Sequence, residues 1–289
     1  MTGQSHVRID AHQHFWQIAR PECTWPGPEH AAIHRDFGPA DLAPLMAACG
    51  VTRSVLVQSQ PDERDTAWLL QLAAQHESIA AVVGWLPLDA PDAPARIVAL
   101  AAMHPKLRGL RPMLQSMPDA GWVLSPAVEP ALGRMQQLGL VFDALVRAEQ
   151  LPVVVELARR HPQLRIVLDH AGKPRIATGE LDPWREQLAE LARCPNTWCK
   201  LSGLATEASP GWRGADLEPV ARHVFECFGP RRVLWGSDWP VLDLAGDYLA
   251  WHDLVRDWLG REWLPRDAAA EAAAEAAVFG GNARACYGL

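Results

Sequence analysis

The sequence predicts a single (β/α)8 barrel, and three observations carry that expectation. Eight short β-branched or apolar runs recur along the 289 residues, and each is followed by a longer stretch with helical spacing. No Gly/Ser linker or break in composition divides the chain, so residues 1–289 read as one domain. Near-continuous apolar strands that alternate with helices belong to a parallel sheet covered by helices on its outer face. A doubly wound open sheet is the alternative.

In order, the runs are VRIDAH (7–12), RSVLVQ (53–58), AAVVGW (80–85), LRGLRP (107–112), LVFDAL (140–145), RIVLDH (165–170), TWCKLS (197–202) and RVLWGS (232–237). Helix ends are readable between them. GPADLAPLMAACG (38–50) has Pro39 near its start, where a missing N–H costs nothing, and stops at Gly50. DPWREQLAELARCP (182–195) begins with an Asp-Pro pair and stops before Pro195. RDAAAEAAAEAAV (266–278) is helical on propensity alone and is expected to be the closing helix, with FGGNARACYGL (279–289) as a packed tail.

Composition narrows the function. Apolar residues make up 49% and charged residues 21%, enough to bury a full core in a soluble globular protein. A net charge of −7 with only three lysines and no basic run argues against nucleic acid or an anionic membrane surface as a partner. Cys23, Cys49, Cys194, Cys199, Cys227 and Cys286 are scattered without a CxxC pair, which fits reduced thiols in a cytoplasmic protein. The N-terminus lacks the pattern of a signal peptide, and no apolar run reaches the ~20 residues of a membrane span.

In a barrel the active site is built where strands end, so polar residues there stand apart from polar residues elsewhere. His12 and His14 share a face by strand alternation, as a metal ion or a carbonyl-polarising pair requires. Asp10 has the same parity and is expected to fix a ring tautomer. LDHAGKP places Asp169 and His170 at the sixth strand end, and GSDWPV places Asp238 at the eighth. Alone, the histidine pair reads equally well as rings satisfied by backbone carbonyls, while LDHAGKP reads better as a capped turn and GSDWPV better as an Asp that starts a turn or caps a helix. Together, at the ends of a barrel's strands, they point to a site.

DAHQHFW, LDHAGKP, CKLSGL and GSDWPV resemble the amidohydrolase superfamily, in its branch of lactonases acting on L-fucono- and L-rhamnono-lactones. The similarity extends to WPGPEHAAIHRDFGPADL, LRGLRPMLQ and the tail. It implies that His12, His14, His170 and Asp238 are the catalytic residues and, where a metal is bound, its ligands. The chain departs from the common pattern at two strands. Arg111 stands where many members have a metal-bridging Lys or Glu, and Asp143 where a metal-binding His is frequent. The resemblance therefore implies either no metal or one divalent ion, zinc first.

Opening a lactone requires a base for water, a donor to the carbonyl oxygen as charge develops, and a proton for the leaving alkoxide. Asp238 is the natural base, and the three histidines are the stabilising groups. Arg111, Gln58 and Lys200 fall at strand ends as substrate donors, although Lys200 reads equally well as a partner of Asp143, and Lys173 is a loop residue near the site. Of thirteen tryptophans, Trp16, Trp25, Trp122 and Trp239 fall near the expected mouth, where a flat ring packs against a sugar's C–H face, whereas Trp184 and Trp258 read as packing. The expected ligand is a small sugar lactone. The competing expectations are a 2-pyrone-4,6-dicarboxylate-type lactonase, a metal-dependent decarboxylase, or a binding protein without turnover.

Overall fold

A computed structural model describes residues 7–260 and 268–289. Eight strands form one parallel sheet in sequence order: β1 (Arg8–Gln13), β2 (Val51–Val57), β3 (Ile79–Gly84), β4 (Leu107–Leu110), β5 (Val141–Ala144), β6 (Ile166–Leu168), β7 (Thr197–Leu201) and β8 (Val233–Trp235). Strand order without reversal excludes the doubly wound sheet. The circle closes at the top, where the Asp238 N–H donates to the His12 carbonyl at 2.8 Å and the His14 N–H to the Trp239 carbonyl at 2.8 Å.

Helices α1 (Pro39–Ala48), α2 (Glu63–Gln75), α3 (Ala93–Met103), α4 (Glu129–Leu138), α5 (Leu151–Arg160), α6 (Trp184–Ala192), α7 (Gly214–Phe228) and α8 (Tyr248–Leu259) fill the crossovers and the turn after β8. All eight expected strands are present, with their ends shifted by at most two residues. Alternate strand residues such as Leu56, Val82, Phe142, Leu168 and Trp235 pack outward against the helices. The opposite set, including Val57, Val83, Val141, Val167 and Leu234, fills the barrel.

The C-terminal expectation needs a correction. The helix after β8 that closes the ring is α8, and the Ala-rich segment adds a further helix, α9 (Ala268–Ala276), while Arg266 and Asp267 lie outside the described residues. The tail then forms α10 (Asn282–Tyr287), whose Ala283, Cys286 and Tyr287 join the barrel's interior cluster and plug its floor. Propensity alone identifies a helix; it does not say which surface the helix covers.

The six cysteines are all free thiols. Among the described residues no helix is long and apolar enough to cross a membrane.

Candidate active site

Four side chains meet at the C-terminal mouth. His12 Nε2 lies 3.2 Å from His14 Nε2. Asp238 Oδ1 stands 3.3 Å from His14 Nε2, 3.7 Å from His12 Nε2 and 3.9 Å from His170 Nε2. The expected His12, His14, His170 and Asp238 are thus brought together. A tetrahedral zinc ion with bonds near 2.05 Å would space its ligand atoms about 3.3 Å apart. His12, His14 and Asp238 have that spacing, so the residues present fit one divalent ion, with His170 alongside.

Two of these residues are held in an uncommon backbone conformation. His170 has φ 53°, followed by Ala171 at 51°, Gly172 at 72° and Lys173 at 49°, and Asp238 has φ 60°. Left-handed non-glycine residues cost about 1 kcal/mol or more each and persist where surrounding structure holds them. Here the Trp184 indole donates to the Ala171 carbonyl at 2.7 Å, and His170 Nδ1 meets Ser202 Oγ at 2.9 Å. Gly203, with φ +62°, passes so close that a Cβ there would lie 2.5 Å from His170 Nδ1. Only glycine allows that approach.

Burial raises the Asp238 carboxyl, but the imidazoles of His170, His14 and His12 more than reverse this and hold it well below the usual carboxylate range. Burial drives His170 down to about 4, against the opposing pull of Asp238 and Asp169. Burial, then the neighbouring Lys200 ammonium, keeps His12 neutral. His14 Nδ1 donates to the Val57 carbonyl at 2.7 Å, which fixes the ring with Nε2 facing Asp238 Oδ1.

Beneath the histidines lies a balanced group of charges, all of it buried. Lys200 Nζ contacts Asp143 Oδ2 at 2.5 Å and Asp169 Oδ1 at 3.0 Å, and Arg111 Nη1 contacts Asp169 Oδ2 at 3.3 Å. Burial opposes the Lys200 charge, but the two carboxylates raise its pKa overall.

The cleft above has a volume of about 420 Å³ and is lined by His14, Arg111, His170, Lys173 and Asp238, with Trp25, Met113, Leu145 and Val241 as its apolar wall. Thr24, Ser59, Gln60, Gln115 and Ser116 supply neutral polar groups. A larger hollow of about 660 Å³ beside the start of β8 is a surface groove with no histidine or carboxylate in its lining, so the chemistry is assigned to the mouth.

Several expected residues stand elsewhere. Gln58 is fully buried and donates to the Arg111 carbonyl at 2.9 Å, while its own carbonyl takes the Arg111 guanidinium; it holds Arg111 and does not line the cleft. Lys200 is fully buried below the mouth, which selects the Asp143 partnership over substrate contact. Trp16 and Trp239 are core residues packed edge-on around Phe37, and Trp122 donates to Asp89 Oδ2 at 3.1 Å outside the cleft lining. Of the four loop tryptophans only Trp25 reaches the cleft. Asp10 fixes no imidazole: a register irregularity between Asp10 and Gln13 breaks the alternation, and its carboxylate accepts from the His12 N–H, the Ser237 N–H and hydroxyl, and Tyr248. It stitches β1 to the turn after β8.

Gln60 is a lining residue that sequence reasoning did not single out. It accepts from the Thr24 N–H at 3.0 Å and donates to the Trp25 carbonyl at 2.7 Å, clamping the loop that carries Trp25. Its position two residues beyond Gln58 was the available signal.

The fold and this constellation define a barrel hydrolase site, and the amidohydrolase family model matches residues 9–289. The chain belongs to the amidohydrolase family. It is 50% identical over 279 residues to an L-fucono-1,5-lactonase of Burkholderia ambifaria, covering 96% of this chain and 93% of that protein. An L-fucono-1,5-lactonase of Burkholderia multivorans is 39% identical over 98% of this chain and 96% of its own length. A crystal structure of an amidohydrolase from Burkholderia multivorans with bound zinc superposes with a TM-score of 0.89 at 40% identity, covering 98% of this chain and 99% of that one.

Proposed function

We propose that this chain hydrolyses a sugar 1,5-lactone, L-fucono-1,5-lactone first and L-rhamnono-lactone as the near alternative, to the free aldonic acid. The observation that carries this is the Asp238 carboxyl set among three imidazoles at the floor of a cleft with neutral polar walls. The near full-length identity to L-fucono-1,5-lactonases supports it.

Water held at Asp238 Oδ1 gives up a proton to the carboxylate as its oxygen attacks the lactone carbonyl carbon. Negative charge then gathers on the carbonyl oxygen, where donors from the imidazoles and the Arg111 guanidinium stabilise it. The C–O ring bond breaks, and Asp238 returns the proton to the leaving alkoxide, with His170 as the neighbouring relay. A divalent ion, zinc first, would be held by His12, His14 and Asp238 with His170 alongside, and when bound it supplies a Lewis acid for the carbonyl oxygen.

Trp25, Met113, Leu145 and Val241 offer an apolar wall for a deoxy sugar's methyl group. A dicarboxylate would need converging cations. Arg111 is already paired with Asp169, and Lys173 with Glu207 at 3.0 Å. The cleft therefore favours a neutral polyhydroxylated substrate over a pyrone dicarboxylate.

The test is a panel of L-fucono-, L-rhamnono-, L-galactono- and D-arabinonolactone with 2-pyrone-4,6-dicarboxylate, followed by acid release with a pH indicator. Fast opening of the deoxy-sugar lactones is expected. Turnover of the dicarboxylate alone, or CO2 release from an aromatic acid without lactone opening, overturns the assignment.

A further inference from the structure

The polar groups that line the cleft differ in whether the fold has already used them. On the β1 and β2 side they are spent on one another. The Gln60 amide accepts from the Thr24 N–H and hydroxyl at 3.0 and 3.2 Å, and donates to the Trp25 carbonyl at 2.7 Å and to Ser59 Oγ at 3.0 Å. Gln115 is the contrast. It lines the same cleft, its amide oxygen is buried, and no donor among the described residues meets that oxygen. Buried acceptors are nearly always paired, because an unpaired one gives up its hydration with nothing in return. The amide oxygens of Gln13, Gln58, Gln187 and Asn196 are also unpaired, but none of these residues lines the cleft.

The backbone beneath Gln115 is firmly held. Its N–H donates to the Leu145 carbonyl just beyond β5 at 2.9 Å, and the Gln150 amide donates to the Leu114 carbonyl at 3.0 Å. The Met117 N–H closes the single 3-10 turn Leu114–Ser116 by donating to the same carbonyl at 3.0 Å. The last torsion of a glutamine side chain is broad and roughly two-fold, so the amide turns toward a group in the cleft at little cost. A fixed base that carries an unspent amide is suited to reading a ligand hydroxyl, which donates to the oxygen.

Position in the ring of strands says which hydroxyl. Eight strands in sequence order put β4 directly across the barrel from β8. Gln115 follows β4, and Asp238 follows β8. In a six-membered 1,5-lactone the atom directly across the ring from the carbonyl carbon is C4. We propose that Gln115 sets specificity by accepting a hydrogen bond from the C4 hydroxyl of a lactone whose carbonyl carbon sits at Asp238. The inference rests on the lactonase reading and narrows it, because L-fucono- and L-rhamnono-1,5-lactone differ in configuration at C2 and C4 alone. The L-fucono configuration at C4 is the one Gln115 accepts.

The experiment measures kcat/KM of the full chain, Gln115→Leu and Gln115→Glu on freshly prepared L-fucono-1,5-lactone, its C4 epimer 6-deoxy-L-glucono-1,5-lactone and its C2 epimer 6-deoxy-L-talono-1,5-lactone. Losing one hydrogen bond to a substrate hydroxyl is worth about 10- to 100-fold. Gln115→Leu is expected to lose that factor on the two lactones that share the C4 configuration and to keep its rate on the C4 epimer. Gln115→Glu retains an acceptor oxygen and is expected to keep the wild-type preference for L-fucono-1,5-lactone over the C4 epimer. A parallel loss on every lactone in Gln115→Leu marks a merely structural role and overturns the proposal. Unchanged kcat/KM in that variant, or a loss that follows the C2 configuration, overturns it equally. Should Gln115→Leu fail to fold, loss of the C4 preference in Gln115→Glu overturns the proposal on its own. A wild type that opens none of these lactones sinks the lactonase reading and the proposal with it, whereas one that opens them all without a C4 preference overturns the proposal alone.

Discussion

Gly203→Ala separates two roles that a glycine at an active site combines. The backbone there has φ +62°, which costs a residue with a Cβ about 1–2 kcal/mol. The new Cβ would also lie 2.5 Å from His170 Nδ1 and 2.7 Å from its Cγ, and restoring ordinary contact near 3.4 Å moves the ring by about 1 Å. His170 has little room to yield, since its Nδ1 is tied to Ser202 and the next carbonyl to Trp184. A misplacement of about 1 Å at a reacting group is worth roughly 10²-fold in rate. Gly50→Ala is the control. Its φ is +66° and nothing lies within 4 Å of the added methyl, so it incurs the backbone cost alone. Thermal unfolding and initial rates of lactone opening are measured on both variants. Each is expected to lower Tm by about 2–6 °C. Only Gly203→Ala is expected to lose about 10²-fold in kcat. Equal activity in the two variants would refute the role assigned to the His170 ring position.

Other outcomes follow from the same structure. Burial raises Asp65 to about 7 from its ordinary 3.8, so the folded chain keeps a proton that the unfolded chain releases. Its contribution is present at low pH and is lost as pH rises from about 4 to 7, amounting to roughly 2–4 kcal/mol. Asp65→Asn, which retains an oxygen for the Ser59 and Gln60 N–H groups, is expected to flatten urea midpoints across that window and to stabilise the chain at pH 8. Trp25→Ala removes the one tryptophan among the described residues of the cleft wall and is expected to raise KM about tenfold with kcat nearly unchanged, as steady-state kinetics would show. Gln58→Leu frees the Arg111 backbone and is expected to lower kcat/KM about tenfold, whereas an unchanged value would separate Gln58 from the site.

The barrel was legible because strand composition and spacing are local signals, and eight apolar runs in one chain leave few other topologies. The histidines and Asp238 were legible because they end strands, and a barrel brings strand ends together. What lay beyond reading depended on depth and on direction. Lys200, Arg111 and Gln58 occupy equivalent positions in the sequence pattern, yet only Arg111 reaches the cleft, because Lys200 is drawn down between Asp143 and Asp169. Asp10 shares parity with His12 on paper, and the irregularity in β1 turns it toward Tyr248. Trp16, Trp25 and Trp239 are equally loop-like in sequence, and tertiary packing around Phe37 removes two of them from the mouth. The plug formed by α10 could not be read because no local pattern says which surface a terminal helix will cover.

The central claim is that Asp238 is the base of a lactone hydrolase, and Asp238→Asn tests it most directly. The variant keeps the side chain's shape at a backbone φ of 60°, where Asn is well tolerated, so circular dichroism and Tm should match the wild type closely. Acid release from L-fucono-1,5-lactone by the wild type, with kcat lowered about 10²–10⁴-fold in a folded Asp238→Asn, is the predicted result. Wild-type activity that persists undiminished in Asp238→Asn, or no opening of the lactone by the wild type, would contradict it.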